Sequence, residues 1–102
     1  MPRIRVCAYN EVPEGGLKKV KVDEQSIAIY KLSGAIYATS NVCTHEGCFL
    51  DENHVIHNDL VECICHGSQF EIKTGHVVLP PAVVSLPIYK VEVIGDEIFL
   101  DK

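Results

Sequence analysis

The sequence predicts an all-β domain, a compact antiparallel sandwich or barrel that carries a site built from loops. Short runs of alternating apolar residues recur along the chain, and turn-forming residues separate them. No segment sustains a helical apolar period behind an N-terminal cap.

The alternating runs are Ile4-Arg5-Val6, Val20-Lys21-Val22, Ile27-Ala28-Ile29, Val91-Glu92-Val93 and Ile98-Phe99-Leu100, each the period-two mark of a half-buried strand. Between them stand Pro13-Glu14-Gly15-Gly16, Ser33-Gly34, Lys73-Thr74-Gly75 and Gly95-Asp96, sequences that reverse the chain. A further hairpin is expected from Val55-Ile56-His57 and Leu60-Val61-Glu62, turning at Asn58-Asp59. It flanks two stretches, residues 42–54 and 63–70, where alternation stops and Cys, His and Gly gather. A hairpin brings its flanking segments side by side, so these two loops are expected to meet. A third loop, Leu79-Pro80-Pro81-Ala82, cannot be a central strand because proline donates no ladder hydrogen bond.

Composition sets outer bounds. The chain has 102 residues, 47% hydrophobic and 23% charged, consistent with one globular domain and with no biased tract that argues for disorder. A domain this small buries only a little over ~60% of its unfolded surface, so a metal site would help to hold it. The longest uncharged apolar stretch, Val77 to Tyr89, contains three prolines and is short of the ~20 residues of a membrane helix. The start, Met1-Pro2-Arg3-Ile4-Arg5, lacks the apolar core of a signal peptide. A soluble, cytoplasmic protein without membrane insertion is expected. The net charge of −5, spread along the chain, argues against nucleic acid and is compatible with a partner that has a basic docking surface. Five cysteines in such a chain point to metal binding or redox chemistry rather than a secreted disulfide framework.

The two loops carry the chemistry. The first reads Cys43-Thr44-His45-Glu46-Gly47-Cys48 and the second Cys63-Ile64-Cys65-His66-Gly67-Ser68. Each offers one Cys and one His at close spacing, a set that suits a centre taking one ligand type per metal ion. Two Cys and two His can also close a tetrahedral zinc site, but zinc modules usually pair cysteines within one knuckle, whereas each loop here mixes the two types. His54, His57 and His76 lie on the hairpin or near turns and are read as ordinary surface histidines. The H-x-x-H spacing of His54 and His57 sends them to opposite strand faces. Glu46 and Asp51 are read as solvated loop acids, and Cys7, on the first strand, as a core residue.

Both loop motifs and their separation resemble those of Rieske proteins. Gly67 and Ser68, the Pro80-Pro81-Ala82 loop and the closing pattern from Leu86-Pro87-Ile88-Tyr89 through Leu100 extend the likeness to small soluble Rieske ferredoxins, the archaeal group included. The resemblance implies a single domain over residues 1–102 with three stacked antiparallel sheets, and a cluster-binding subdomain at about residues 41–82. It implies one [2Fe-2S] cluster per chain, with Cys43 and Cys63 on one iron and His45 and His66 on the other. Two neutral imidazoles in place of two thiolates leave the oxidised centre about neutral rather than about −2, so an electron is added at less cost. Family potentials of roughly −150 to +300 mV, against about −400 mV for plant-type ferredoxins, follow that charge count.

The resemblance also implies roles around the cluster. Cys48 and Cys65 match a pair that is disulfide-bonded in the Rieske subunits of cytochrome bc complexes; the alternative is two buried thiols, which a reducing cytosol favours outside hyperthermophiles. Ser68 matches a serine that hydrogen-bonds a cluster sulfur and raises the potential; its plain alternative is a turn serine. Phe70 stands where high-potential members carry a tyrosine, and Ile64 replaces a proline common between the second-loop cysteines. An intermediate potential is expected.

The implied function is a monomeric single-electron carrier between a reductase and an oxygenase or similar redox enzyme. It is not an enzyme by itself, since no catalytic constellation remains after the cluster ligands are assigned. Alternatives are a small Rieske subunit of a multicomponent oxygenase or nitrite reductase, a structural zinc module, and a thiol switch built on Cys48 and Cys65.

Overall fold

A computed structural model of the protein describes residues 3–43, 48–65, 67–80 and 84–101. Ten strands follow one another among these residues: β1 Arg3–Ala8, β2 Gly16–Val22, β3 Gln25–Leu32, β4 Ala35–Ser40, β5 His54–His57, β6 Leu60–Cys63, β7 Ser68–Glu71, β8 Val77–Leu79, β9 Ile88–Ile94 and β10 Glu97–Asp101. Every named pairing between them is antiparallel. The only helical piece among the described residues is a single 3-10 turn at Tyr9–Glu11.

The expected three sheets are present, with two of them continuous. Strands β1, β10 and β9 form one, and β2, β3 and β4 another. A short ladder between β4 and β9, Ala38 opposite Tyr89 and Thr39 opposite Ile88, joins them into the order β1-β10-β9-β4-β3-β2. The third sheet is β5-β6-β7-β8.

Burial along β3 explains the stacking. Ile27 and Ile29 enter a core with Cys7, Val12, Val20, Val22, Ile98 and Leu100. Ala28, Tyr30 and Leu32, on the opposite face, enter a second core with Leu50, Val61, Phe70, Ile72 and Leu86. The strand is therefore the middle layer, buried on both sides, and the half-buried expectation for Ile27-Ala28-Ile29 is corrected. Its neighbour β2 keeps the simple alternation, with Val20 and Val22 inside and Lys19 and Lys21 outside. Cys7 is a core residue as expected. A bulge at Val6, where Arg5 pairs with Phe99 and Cys7 with Ile98, turns it inward. In β9 the alternation fails near its end: Val93 is 41% exposed, close to the Gly95-Asp96 turn and beyond the edge of the core.

The predicted turns form, and one unpredicted turn joins them. Ser33 and Gly34 have φ of 52° and 81°, the two left-handed positions of a two-residue hairpin turn. Asp23 and Glu24, with φ of 50° and 67°, make the same turn between β2 and β3. Neither is the Gly or Asn that marks such a turn in a sequence; the long β2–β3 register imposes it.

Candidate metal centre

The first loop leaves the base at the end of β4 and returns almost on itself. Val42 and Phe49 form an isolated antiparallel bridge, and the Cys43 amide donates to the Cys48 carbonyl at 2.7 Å. Residues 43 and 48 thus stand at the neck of a narrow loop. Cys43 is 2% exposed and packs in the second core beside Leu50, Val61 and Cys63. Thr44, His45, Glu46 and Gly47 lie outside the described residues.

Asn41 anchors this loop to the base. Its side chain is fully buried, donating to Ser26 Oγ at 3.0 Å and to Asp51 Oδ1 at 2.7 Å, while the Asp51 amide donates back to Asn41 Oδ1 at 2.8 Å. The Leu50 amide donates to the Asn41 carbonyl at 2.6 Å. Asp51 is therefore a half-buried structural acceptor, and its reading as a solvated acid is corrected. Sequence reasoning missed Asn41 altogether. The available signal was an amide side chain at the end of a strand, immediately before the ligand-bearing loop.

The second loop grows out of the β6–β7 hairpin. Along β6, Val61 and Cys63 alternate inward, and Cys63 is 1% exposed. Ser68 lies directly across from Cys63 in the ladder and is fully buried, so both side chains share the inner face of this sheet. Phe70, two residues on, continues that face into the core. The Gly67 amide donates to the Cys63 carbonyl at 2.8 Å, and Gly67 takes φ of 85°, a conformation that suits glycine. His66 lies outside the described residues. Ile64 is 51% exposed, and its amide donates to the Asn53 carbonyl at 3.1 Å, tying the second loop to the first.

A disulfide completes that tie. Cys48 and Cys65 are bonded, with Cα atoms 6.7 Å apart and a separation of 17 positions in sequence. Cys7, Cys43 and Cys63 remain thiols. The Sγ atoms of Cys48, Cys63 and Cys65 all lie within 4.8 Å of one another. Of the four cysteines in the two loops, two crosslink the backbone and two remain as buried potential ligands. That division fits a centre needing two thiolates, one from each loop.

The other histidines do different work. His54 stands across from Cys63 in the β5–β6 ladder, and its Nδ1 meets the Leu50 carbonyl at 2.6 Å, bracing the end of the first loop. His57, on the outer face, pairs with Glu62 at 3.0 Å. The third loop is seated by Gly75: its amide donates to the Glu71 carbonyl at 2.6 Å, and the Leu86 amide donates to its carbonyl at 2.8 Å. Pro81 and Ala82 of that loop lie outside the described residues. No helix among the described residues is long and apolar enough to cross a membrane.

Comparison with known proteins agrees with this geometry. The Rieske [2Fe-2S] domain model matches residues 3–90. The biphenyl dioxygenase ferredoxin subunit of Pseudomonas sp. (strain KKS102) is 34% identical over 97 residues, spanning 95% of this chain and 89% of that protein. The ferredoxin of carbazole 1,9a-dioxygenase from Nocardioides aromaticivorans IC177 superimposes with a TM-score of 0.91 at 28% identity, covering 98% of this chain and 97% of that one. A chain from the complex of reduced oxygenase and oxidized ferredoxin in carbazole 1,9a-dioxygenase matches with a TM-score of 0.88 at 31% identity over 96% of this chain and 91% of that one. These relatives are ferredoxin components, carriers of electrons rather than catalytic components. The chain belongs to the Rieske [2Fe-2S] domain family, and its cofactor is a [2Fe-2S] cluster.

Proposed function

We propose that this protein is a single-electron carrier that takes electrons from a reductase and delivers them to an oxygenase of a multicomponent dioxygenase system. The observation that carries this reading is its match to ferredoxin components over nearly their whole length, 89% and 97% in the two cases above. Matches of this extent to ferredoxin components support the carrier role. The carrier acts as a monomer in the cytoplasm, as one domain over residues 1–102 with its cluster-binding part at about 41–82.

Cys43 and Cys63 hold one iron, and His45 and His66 the other. Support comes from the two buried thiols left outside the disulfide, one in each of the crosslinked loops. The bound cluster supplies reversible one-electron chemistry. The chain around it supplies two strand-anchored loops, a buried inner face, and Ser68 opposite Cys63, where the Ser68 hydroxyl would donate to a cluster sulfur.

Iron and acid-labile sulfide analysis of the purified protein tests the assignment. Two of each per chain are expected, as the cluster formula requires. A colourless, zinc-loaded protein would overturn it. Reduction by a dioxygenase reductase and reoxidation by its oxygenase test the role, and co-purification as a fixed complex would make the chain an enzyme subunit instead.

A further inference from the structure

We propose that Cys63 and the Cys48–Cys65 disulfide form a thiol–disulfide exchange site, which controls whether a cluster-free chain can accept iron. The three Sγ atoms lie within 4.8 Å of one another. The backbone around them is held by independent hydrogen bonds: the Cys43 amide to the Cys48 carbonyl at 2.7 Å, the Ile64 amide to the Asn53 carbonyl at 3.1 Å, and the Gly67 amide to the Cys63 carbonyl at 2.8 Å. Sulfur exchange therefore needs side-chain rotation rather than unfolding.

The step balances internally. Cys63 loses its proton and its thiolate attacks Cys48 Sγ. A Cys48–Cys63 bond forms as the Cys48–Cys65 bond breaks, and the electron pair leaves on Cys65, which takes up a proton. Nothing is oxidised or reduced overall. Attack at Cys48 is favoured over attack at Cys65, because a Cys63–Cys65 link would close a small ring around Ile64 alone. Cys48 and Cys65 are half-buried, so a dithiol reductant reaches the bond that the fully buried Cys63 is poised to enter.

The consequence for cluster loading rests on Cys63 being an iron ligand, as proposed above. In the loaded chain the cluster holds Cys63 and the disulfide stays at Cys48–Cys65. In the stripped chain the Cys48–Cys63 isomer removes a ligand, and a dithiol restores it.

Peptide mapping by mass spectrometry reads the exchange from the disulfide linkages themselves, separately from iron uptake. The loaded full-length chain should contain only the Cys48–Cys65 link. After anaerobic removal of the cluster by a chelator without thiol reagents, the Cys48–Cys63 isomer should reach at least about a tenth of the chains, the share expected for linkages within ~1.4 kcal/mol of each other. Retention of Cys48–Cys65 alone would overturn the proposal. So would a mixture in which Cys7 or Cys43 appears as often as Cys63, which signals general unfolding. In Cys65→Ser, diamide should link Cys48 to Cys63 with loss of both thiols, and no such link would also count against it. Iron and sulfide uptake by the exchanged chain, before and after dithiol treatment, reads the consequence separately: equal uptake would remove the ligand role of Cys63 and leave the exchange result standing.

Discussion

Asn41 and Asp51 grip each other twice: the Asn41 carboxamide donates to the Asp51 carboxylate at 2.7 Å and accepts from the Asp51 amide at 2.8 Å. This reciprocal pair fastens the far side of the first cysteine loop to the end of β4. Asn41 also reaches Ser26 on β3, so one buried side chain connects the middle layer of the molecule to the loop that holds Cys43. Asn41→Ala should cost about 2–4 kcal/mol, since it removes three side-chain hydrogen bonds from a buried position. Asp51→Ala should cost less, about 1–2 kcal/mol, because Asn41 keeps Ser26. Urea unfolding of the two variants gives the comparison, and the reverse order would show that the loop is held elsewhere.

Gly75 and Gly95 both adopt positive φ, 78° and 61°, yet replacing them should differ sharply. A Cβ at Gly75 would stand 2.1 Å from the Leu86 carbonyl oxygen, whereas at Gly95 nothing lies within 4 Å. Gly95→Ala should cost about 1–2 kcal/mol, the left-handed backbone penalty alone. Gly75→Ala should cost several kcal/mol more by displacing the segment that seats the proline loop. Thermal unfolding of both proteins checks the difference.

Opening the Cys48–Cys65 bond releases a 17-residue separation in the unfolded chain. The chain-entropy relation gives about 3 kcal/mol for a loop of that length. Cys48→Ser, compared with the oxidised parent by denaturant titration, should show a loss of that order. No change in midpoint would mean that the bond adds nothing beyond the hydrogen bonds at the loop necks.

Tyr30 is fully buried, its hydroxyl 2.8 Å from Thr39 Oγ1, and burial pushes its pKa well above the ordinary tyrosine value. The folded state therefore keeps the proton longer than the unfolded state. Its contribution is complete below the ordinary value, about pH 10, and falls away as pH rises above it, at up to ~1.4 kcal/mol per pH unit. Tyr30→Phe should flatten the alkaline limb of a stability-against-pH curve by that amount, and identical limbs would discount Tyr30.

Ser68 sits opposite Cys63 in the β6–β7 ladder with its side chain on the same face. Ser68→Ala should lower the reduction potential, on the order of 50–100 mV for loss of one hydrogen bond to an anionic acceptor, while the cluster is retained. Phe70→Tyr should act in the opposite direction if its hydroxyl reaches the cluster. Spectroelectrochemical titration reads both, and an unchanged Ser68→Ala potential would reduce Ser68 to a structural residue.

The all-β class, four of the hairpin turns and the two loops that carry the cysteines were legible in the residue pattern. These features are local: period-two alternation, left-handed turn residues and closely spaced ligand types act within a few neighbours. The resemblance to Rieske proteins also anticipated the Cys48–Cys65 link. Tertiary structure alone decided that β3 is buried on both faces, because its second face is covered by Val61, Phe70 and Leu86, which arrive from more than 25 positions away in the numbering. It decided the Asp23-Glu24 turn, where ladder register overrode weak turn residues. It also turned Asp51 from a surface acid into the partner of Asn41, and brought Cys63 within reach of the disulfide. Each of these depends on which distant segment packs against a residue, and no pattern within the residue's own neighbourhood encodes that.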